Sequence, residues 1–317
     1  MSSEKNSFAG LSIGGGKKEN FFLSIIEYFP SEKRWFLRSL RQVRDEEGLD
    51  RDEAIKSWLS GNLSLQELYV DFPLTQPLCE TCELDCPGSR YCHHPQTESI
   101  RSEMKKLLVQ DESLEKSNPK QYEQRREVLN LEEVLNLEDV FNRPLSKDTL
   151  DPLLSKSFKR KLKKGFLPYW NRPVDFFIWK SYYDALLKTF NLSYDSFGTT
   201  SLMMTMRFSY LSKHLPKSLS IKESQVQIIL IELLRSKIIL LKHIQELSDL
   251  DLAPLARLQI MKAIGKKLRL FVYESDLEVM AKNDKAFQSV ILSLAGVGNQ
   301  FKDFSLVDSN FVIPQFS

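Results

Sequence analysis

Cys79, Cys82, Cys86 and Cys92 fall within fourteen residues, run directly into His93 and His94, and are the only four cysteines in a chain of 317 residues. Thiolate and imidazole are the natural ligands of zinc- and iron-type ions. A Cys-x2-Cys turn brings two sulfurs to one point without strain. Cys79 and Cys82 make such a turn, and Pro87-Gly88 can reverse the chain to return Cys86 and Cys92 as a second pair. The spacing predicts a metal site drawn from four of six side chains: Cys79, Cys82, Cys86, Cys92, His93 and His94. Disulfides are the competing use. The N-terminus shows no apolar signal core, so the expected compartment is the cytoplasm, where thiols stay reduced.

Zinc suits a closed site of four cysteines, or of three cysteines and one histidine, that staples a loop. A 4Fe–4S cluster is the alternative, since it too takes four cysteines. The stretch Cys79-x2-Cys82-x3-Cys86-Pro87 resembles the end of the bacterial ferredoxin run, Cys-x2-Cys-x2-Cys-x3-Cys-Pro. That resemblance implies an iron–sulfur cluster. The run's first cysteine falls at Gln76, which cannot ligate, so Cys92 would have to complete the set.

A second chemistry is electrostatic. Lys156, Lys159, Arg160, Lys161, Lys163 and Lys164 cluster with no acid among them. Phe158, Leu162 and Phe166 interleave at helical spacing, and Tyr169 and Trp170 follow. Such a stretch fits nucleic acid or another anionic partner. Arg34, Arg38 and Arg41 are expected on the polar side of a helix and are a further candidate contact to phosphate. The chain as a whole is balanced, Lys+Arg 44 against Asp+Glu 42. Net charge therefore argues for no partner, and any such function must be local.

No catalytic constellation can be read. Gly14-Gly15-Gly16-Lys17-Lys18 comes near a phosphate-binding loop, but Leu11 stands where its first glycine belongs and Lys18 where Ser or Thr would hold magnesium. There is no His-Glu-x-x-His, no Gly-x-Ser-x-Gly and no Rossmann glycine fingerprint. Gly296-Val297-Gly298 reads as a helix C-cap. His214 and His243 are isolated.

The elements that must position these residues read as helices. Only 12 glycines, with abundant Leu, Lys and Glu, argue against a turn-rich sheet protein. Phe21, Phe22, Ile25 and Ile26 give one helical face, and Phe36, Leu40 and Val43 another. Further helices are expected after Asp50, after Ser64, from Thr97 through Leu108, and from Ser220 to about Leu247. Another follows Asp251, with Leu255, Leu258, Met261, Ile264, Leu268 and Phe271 inward. No apolar run reaches the roughly 18 residues of a membrane span. The expected fold is all-α, a small metal-stapled N-terminal helical domain plus a larger C-terminal helical bundle. The division is a polar tail at 1–19, a helical domain at 20–110 with the Cys-rich loop at 71–95, a polar and basic connection at 111–165, and the bundle at 166–317. The function expected of it is a zinc-stabilised binding, regulatory or adaptor module with a protein partner. An iron–sulfur redox or sensor protein and a nucleic-acid-binding protein are the alternatives.

Overall fold

Strands, not helices, occupy the apolar stretch 20–43. The structure, a computed structural model, describes residues 7–14, 20–43, 51–61, 65–120, 122–124, 154, 156–190, 209–210, 212–213, 215–300 and 310–316. β1 (Ser7–Gly14), β2 (Asn20–Phe29) and β3 (Arg34–Gln42) form an antiparallel meander. β4 (Glu67–Val70) pairs parallel to β1, and β5 (Ser220–Glu223) parallel to β4. β6 (Leu270–Phe271) joins β3 in parallel, so the six-stranded order is β5-β4-β1-β2-β3-β6. β7 (Asn299–Gln300) and β8 (Pro314–Gln315) make a separate two-stranded sheet. The all-α expectation is corrected: the fold is mixed α/β.

The reason is a degenerate signal. Apolar residues at positions 21, 22, 25 and 26 satisfy one helix face, but they equally suit a strand buried on both sides. Here β2 is such a strand. Phe21, Leu23 and Ile25 join a core with Ala9, Leu11, Leu68 and Val70, covered by Ile55 and Leu59 of α1 (Arg51–Ser60). Phe22, Ser24 and Ile26 point to the other face, where α10 (Asp284–Ser293) lies. Ser24 Oγ donates to Ser289 O at 2.8 Å across that contact. Residues 7–14, read as tail, are the centre of the sheet.

The long helix expected from Ser220 is also divided. Ser220 and Glu223 belong to β5 rather than to a cap. Glu223 is buried and accepts the Leu74 N–H at 2.9 Å. α6 runs over Val226–Arg235 and α7 over Leu241–Glu246, with Lys237 at φ 56° between them. Helices do form at α3 (Pro95–Ser117), α4 (Lys156–Lys164), α5 (Pro173–Phe190), α8 (Ala253–Leu268) and α9 (Glu274–Lys282). On α8 the inward set includes Ile260, Met261 and Ile264, whereas Leu255 is exposed. Asp50, His214 and most of the 111–155 segment lie outside the described residues.

The chain makes two compact units, one of residues 1–74 with 200–317 and one of residues 75–199. The division is discontinuous, so residues 20–74 belong with the C-terminal part rather than with the Cys-rich loop. In the second unit α3 packs against α4 and α5. Arg172 and Asp175 form a buried ion pair there at 2.9 Å. Among the described residues no helix is long and apolar enough to cross a membrane.

Candidate metal centre

The Cys-rich loop opens the second unit. Cys79 lies on a single helical turn, α2 (Leu78–Thr81), and Cys82 leaves it in extended conformation. Gly88 adopts φ 93° and ψ 156°, a region open in practice only to glycine. It feeds a 3-10 turn over Ser89–Tyr91, which delivers Cys92. Arg101 Nη2 then donates to Cys92 O at 2.9 Å and to Arg90 O at 3.3 Å, pinning the return of the loop to α3. His94 caps α3, its Nδ1 accepting from Gln96 N at 3.3 Å. That leaves Nε2 as its ligand atom. His93 is exposed.

No side chain between residues 73 and 94 is buried. The loop thus follows a defined path without a core of its own. Its four cysteines are free thiols, Cys79 and Cys86 exposed, Cys82 and Cys92 partly so. Burial pushes the Cys79 thiol up, and the neighbouring Cys92, Cys86 and Cys82 push it further. Among the described residues no group of three or more His, Cys, Asp or Glu stands in a geometry that would hold a metal. Electrostatic coupling reaches further than a zinc–sulfur bond of about 2.3 Å. Both observations therefore describe thiols that are neighbours without bonding geometry. The donor set fits zinc or a cluster in kind.

The basic stretch forms helix α4 as its spacing predicts. Phe158 and Leu162 are buried on one side, and Lys156, Arg160, Lys163 and Lys164 are exposed on the other. Lys159 has a different use. Its Nζ lies 2.8 Å from Asp111 Oδ2 and 3.3 Å from Glu115 Oε2, and its side chain is 11% exposed. Burial pulls this ammonium down, but Asp111, Tyr122 and Glu115 together raise it by more. Tyr169 and Trp170 remain largely exposed, their rings 4.7 Å apart edge to face.

Arg34, Arg38 and Arg41 stand on β3 rather than on a helix. Arg38 Nη1 donates to Glu27 at 2.6 Å, and Arg41 lies 5.4 Å from the Trp58 ring centre. His243 sits 3.5 Å from Glu246 Oε2 one turn along α7.

One polar group was not legible in the sequence. Leu11 pairs with Val70 at the last step of the parallel β1–β4 pairing, so Ser12 and Asp71 come together just beyond it, at the carboxyl end of β4. Ser12 Oγ donates to Asp71 Oδ2 at 2.8 Å, with Gln288 Oε1 at 3.1 Å as the other acceptor in reach. Lys285 Nζ donates to that same Gln288 oxygen at 2.6 Å. Burial raises the Asp71 carboxyl, and Lys285 and the Ser12 hydroxyl offset only part of the rise. Carboxyl ends of parallel strands are where α/β sheets commonly bind ligands. The only signal for this cluster is a strand pairing across 59 residues.

A carboxyl raised by burial favours the fold while protonated. That contribution is lost as pH rises through its folded pKa. Asp71→Asn should therefore raise Tm near neutral pH, and the difference from wild type should shrink on acidification. Thermal melts across that range check this; a variant less stable than wild type at neutral pH contradicts it. Comparison with protein-family models, curated proteins and solved structures gives no match for this chain.

Proposed function

We propose that the unit of residues 75–199 carries a thiolate metal centre and that the protein works as a metal-stabilised binding module. Zinc is the favoured ion, held by four ligands from Cys79, Cys82, Cys86, Cys92, His93 and His94. The observation that carries this reading is the stretch 75–94, which has no buried side chain and gathers all four thiols of the chain. A metal supplies the cross-links that buried side chains would otherwise provide. A 4Fe–4S cluster on the same four cysteines is the alternative, and it suits a redox or sensing role.

Chelation tests the role of the ion. Stripped protein should become protease-sensitive between residues 73 and 94 while α3 stays helical by circular dichroism. Unchanged resistance after complete removal counts against the reading. The raised Cys79 thiol adds a sign. Binding must displace protons, so zinc affinity should climb with pH over the neutral range and protons should be released on titration. Affinity independent of pH would mean the sulfurs are not the ligands.

The geometry of α4 supports a second reading, an anionic partner. An amphipathic helix with four exposed cations, followed by an exposed aromatic pair, suits a phosphate polymer. Replacing Lys156, Arg160, Lys163 and Lys164 by serine should flatten the salt dependence of nucleic-acid affinity, the slope falling by about 0.9 for each phosphate no longer neutralised. Filter binding across a salt series measures it, and an unchanged slope rejects α4 as the surface.

A further inference from the structure

We propose that the open face of the β2–β3–β6 edge is a stacking platform for single-stranded nucleic acid. Alternate residues of a strand share a face, and so do cross-strand partners. Phe29 pairs with Arg34, Glu27 with Phe36, and Phe36 with Phe271. Their face carries a connected run of rings. Phe29 lies 4.9 Å from Phe36, Phe36 lies 5.4 Å from Phe271, and Phe271 lies 5.0 Å from Tyr273. The first two steps cross from strand to strand, near the strand spacing of about 4.8 Å, and the third runs along the chain. The run is in contact with solvent: Phe29 is 40% exposed, Phe271 37% and Tyr273 58%. On the opposite face of the same edge Leu270 is buried, while farther along β2 the ring face itself is covered by α1, at Leu23 and Ile25.

Rings that only stabilise a sheet are usually covered. A connected aromatic run left in water marks a surface that meets something. The charges beside it select the partner. Arg34 is exposed next to Phe29, and Arg38 is 52% exposed even while it donates to Glu27. Arg41 continues the same strand over Trp58. Lys33 and Arg269, also exposed, stand at the near ends of β3 and β6. The acids nearest in sequence are Glu27, held by Arg38, Glu32 in the β2–β3 turn, and Glu274 beyond Tyr273. Flat apolar rings next to a line of guanidinium groups match a polymer of flat bases on a phosphate backbone. Bases stack on Phe29, Phe36, Phe271 and Tyr273, and phosphates run along Arg34, Arg38 and Arg41. A duplex keeps its bases inside and cannot use the rings. The surface lies in the other unit from α4 and is independent of the metal reading.

The test uses the full chain, a labelled oligothymidylate and a labelled duplex of equal length, read by fluorescence anisotropy at low salt. The single strand should bind more tightly than the duplex. Combined Phe36→Ala, Phe271→Ala and Tyr273→Ala should weaken single-strand binding by about tenfold or more and leave duplex binding unchanged. Phe36→Tyr with Phe271→Tyr should retain it. If the triple variant loses its fold, Tyr273→Ala alone, at an exposed position, carries the test by the same loss. Absence of binding at low salt overturns the proposal, as does equal affinity of wild type and ring variants. It is also overturned if sedimentation shows a dimer that ring removal converts to monomer, because a second copy then covers the face.

Discussion

Alanine at position 10 should leave the sheet-bearing unit unable to reach its native packing. A Cβ added to Gly10 would sit 2.0 Å from Ser289 O and 2.6 Å from Ser293 N. Both are backbone atoms of α10, so no side chain can swing aside. The neighbours are small for the same reason. Ser12 and Ser24 on the strands and Ser289 and Ser293 on the helix are all fully buried. Ser289 and Ser293 return their hydroxyls to their own helix, at Ala286 O and Val290 O. The helix backbone therefore rests almost directly on the sheet. Making room would displace it by on the order of 1 Å, which a close-packed interior does not absorb. The expected loss is above about 4 kcal/mol, seen as collapsed near-UV dichroism and a lost cooperative melt. A variant melting within a few degrees of wild type would contradict the close seating of α10 on β1.

Asp111→Ala is expected to cost about 3–5 kcal/mol, the range for removing one partner of a buried ion pair. The carboxylate of Asp111 is fully buried on α3. Its Oδ2 accepts from Tyr122 Oη at 2.7 Å and from Lys159 Nζ at 2.8 Å, and its Oδ1 accepts from Leu154 N at 3.0 Å. One side chain thus ties α3 to α4 and to the segment entering α4. Alanine strips the buried Leu154 N–H of its acceptor and leaves the Lys159 ammonium in low dielectric beside Glu115. Denaturant titration measures the cost. Asp111→Asn should lose less, because the amide oxygen still accepts. A loss under about 1 kcal/mol for alanine would mean that α4 is held by Phe158 and Leu162 alone. The same geometry separates Lys159 from the other cations of its cluster, a distinction invisible in a run of six basic residues.

The helical half of the fold was legible because its signal is local. Gly61 ends α1, its N–H donating to Ser57 O at 2.9 Å, and the apolar spacing of Ile100, Met104 and Leu107 marks the buried face of α3. The sheet was not legible because its causes are distant. β2 becomes a strand since α10 and α1 cover its two faces, and those elements lie far apart in sequence. β1 did carry a hint, with Ala9, Leu11 and Ile13 alternating toward one face, but the polar residues around it hid the pattern. Ser31 reads equally as a helix cap and as part of the tight β2–β3 turn. Glu32 N and Lys33 N donating to Phe29 O and Pro30 O decide for the turn. The thiol cluster was legible because four cysteines lie within fourteen residues. The Ser12–Asp71 cluster was not, since it exists only once β1 and β4 pair.

Four ligands drawn from Cys79, Cys82, Cys86, Cys92, His93 and His94 are proposed to hold a metal ion. Elemental analysis of protein purified without oxygen tests it directly, with all four cysteines replaced by serine as the control. Wild type should carry stoichiometric zinc, which the serine variant lacks. A brown protein with iron and sulfide would assign the same thiols to a cluster. Wild type with no more metal than the serine variant, and unable to take up zinc when supplied, would contradict the claim.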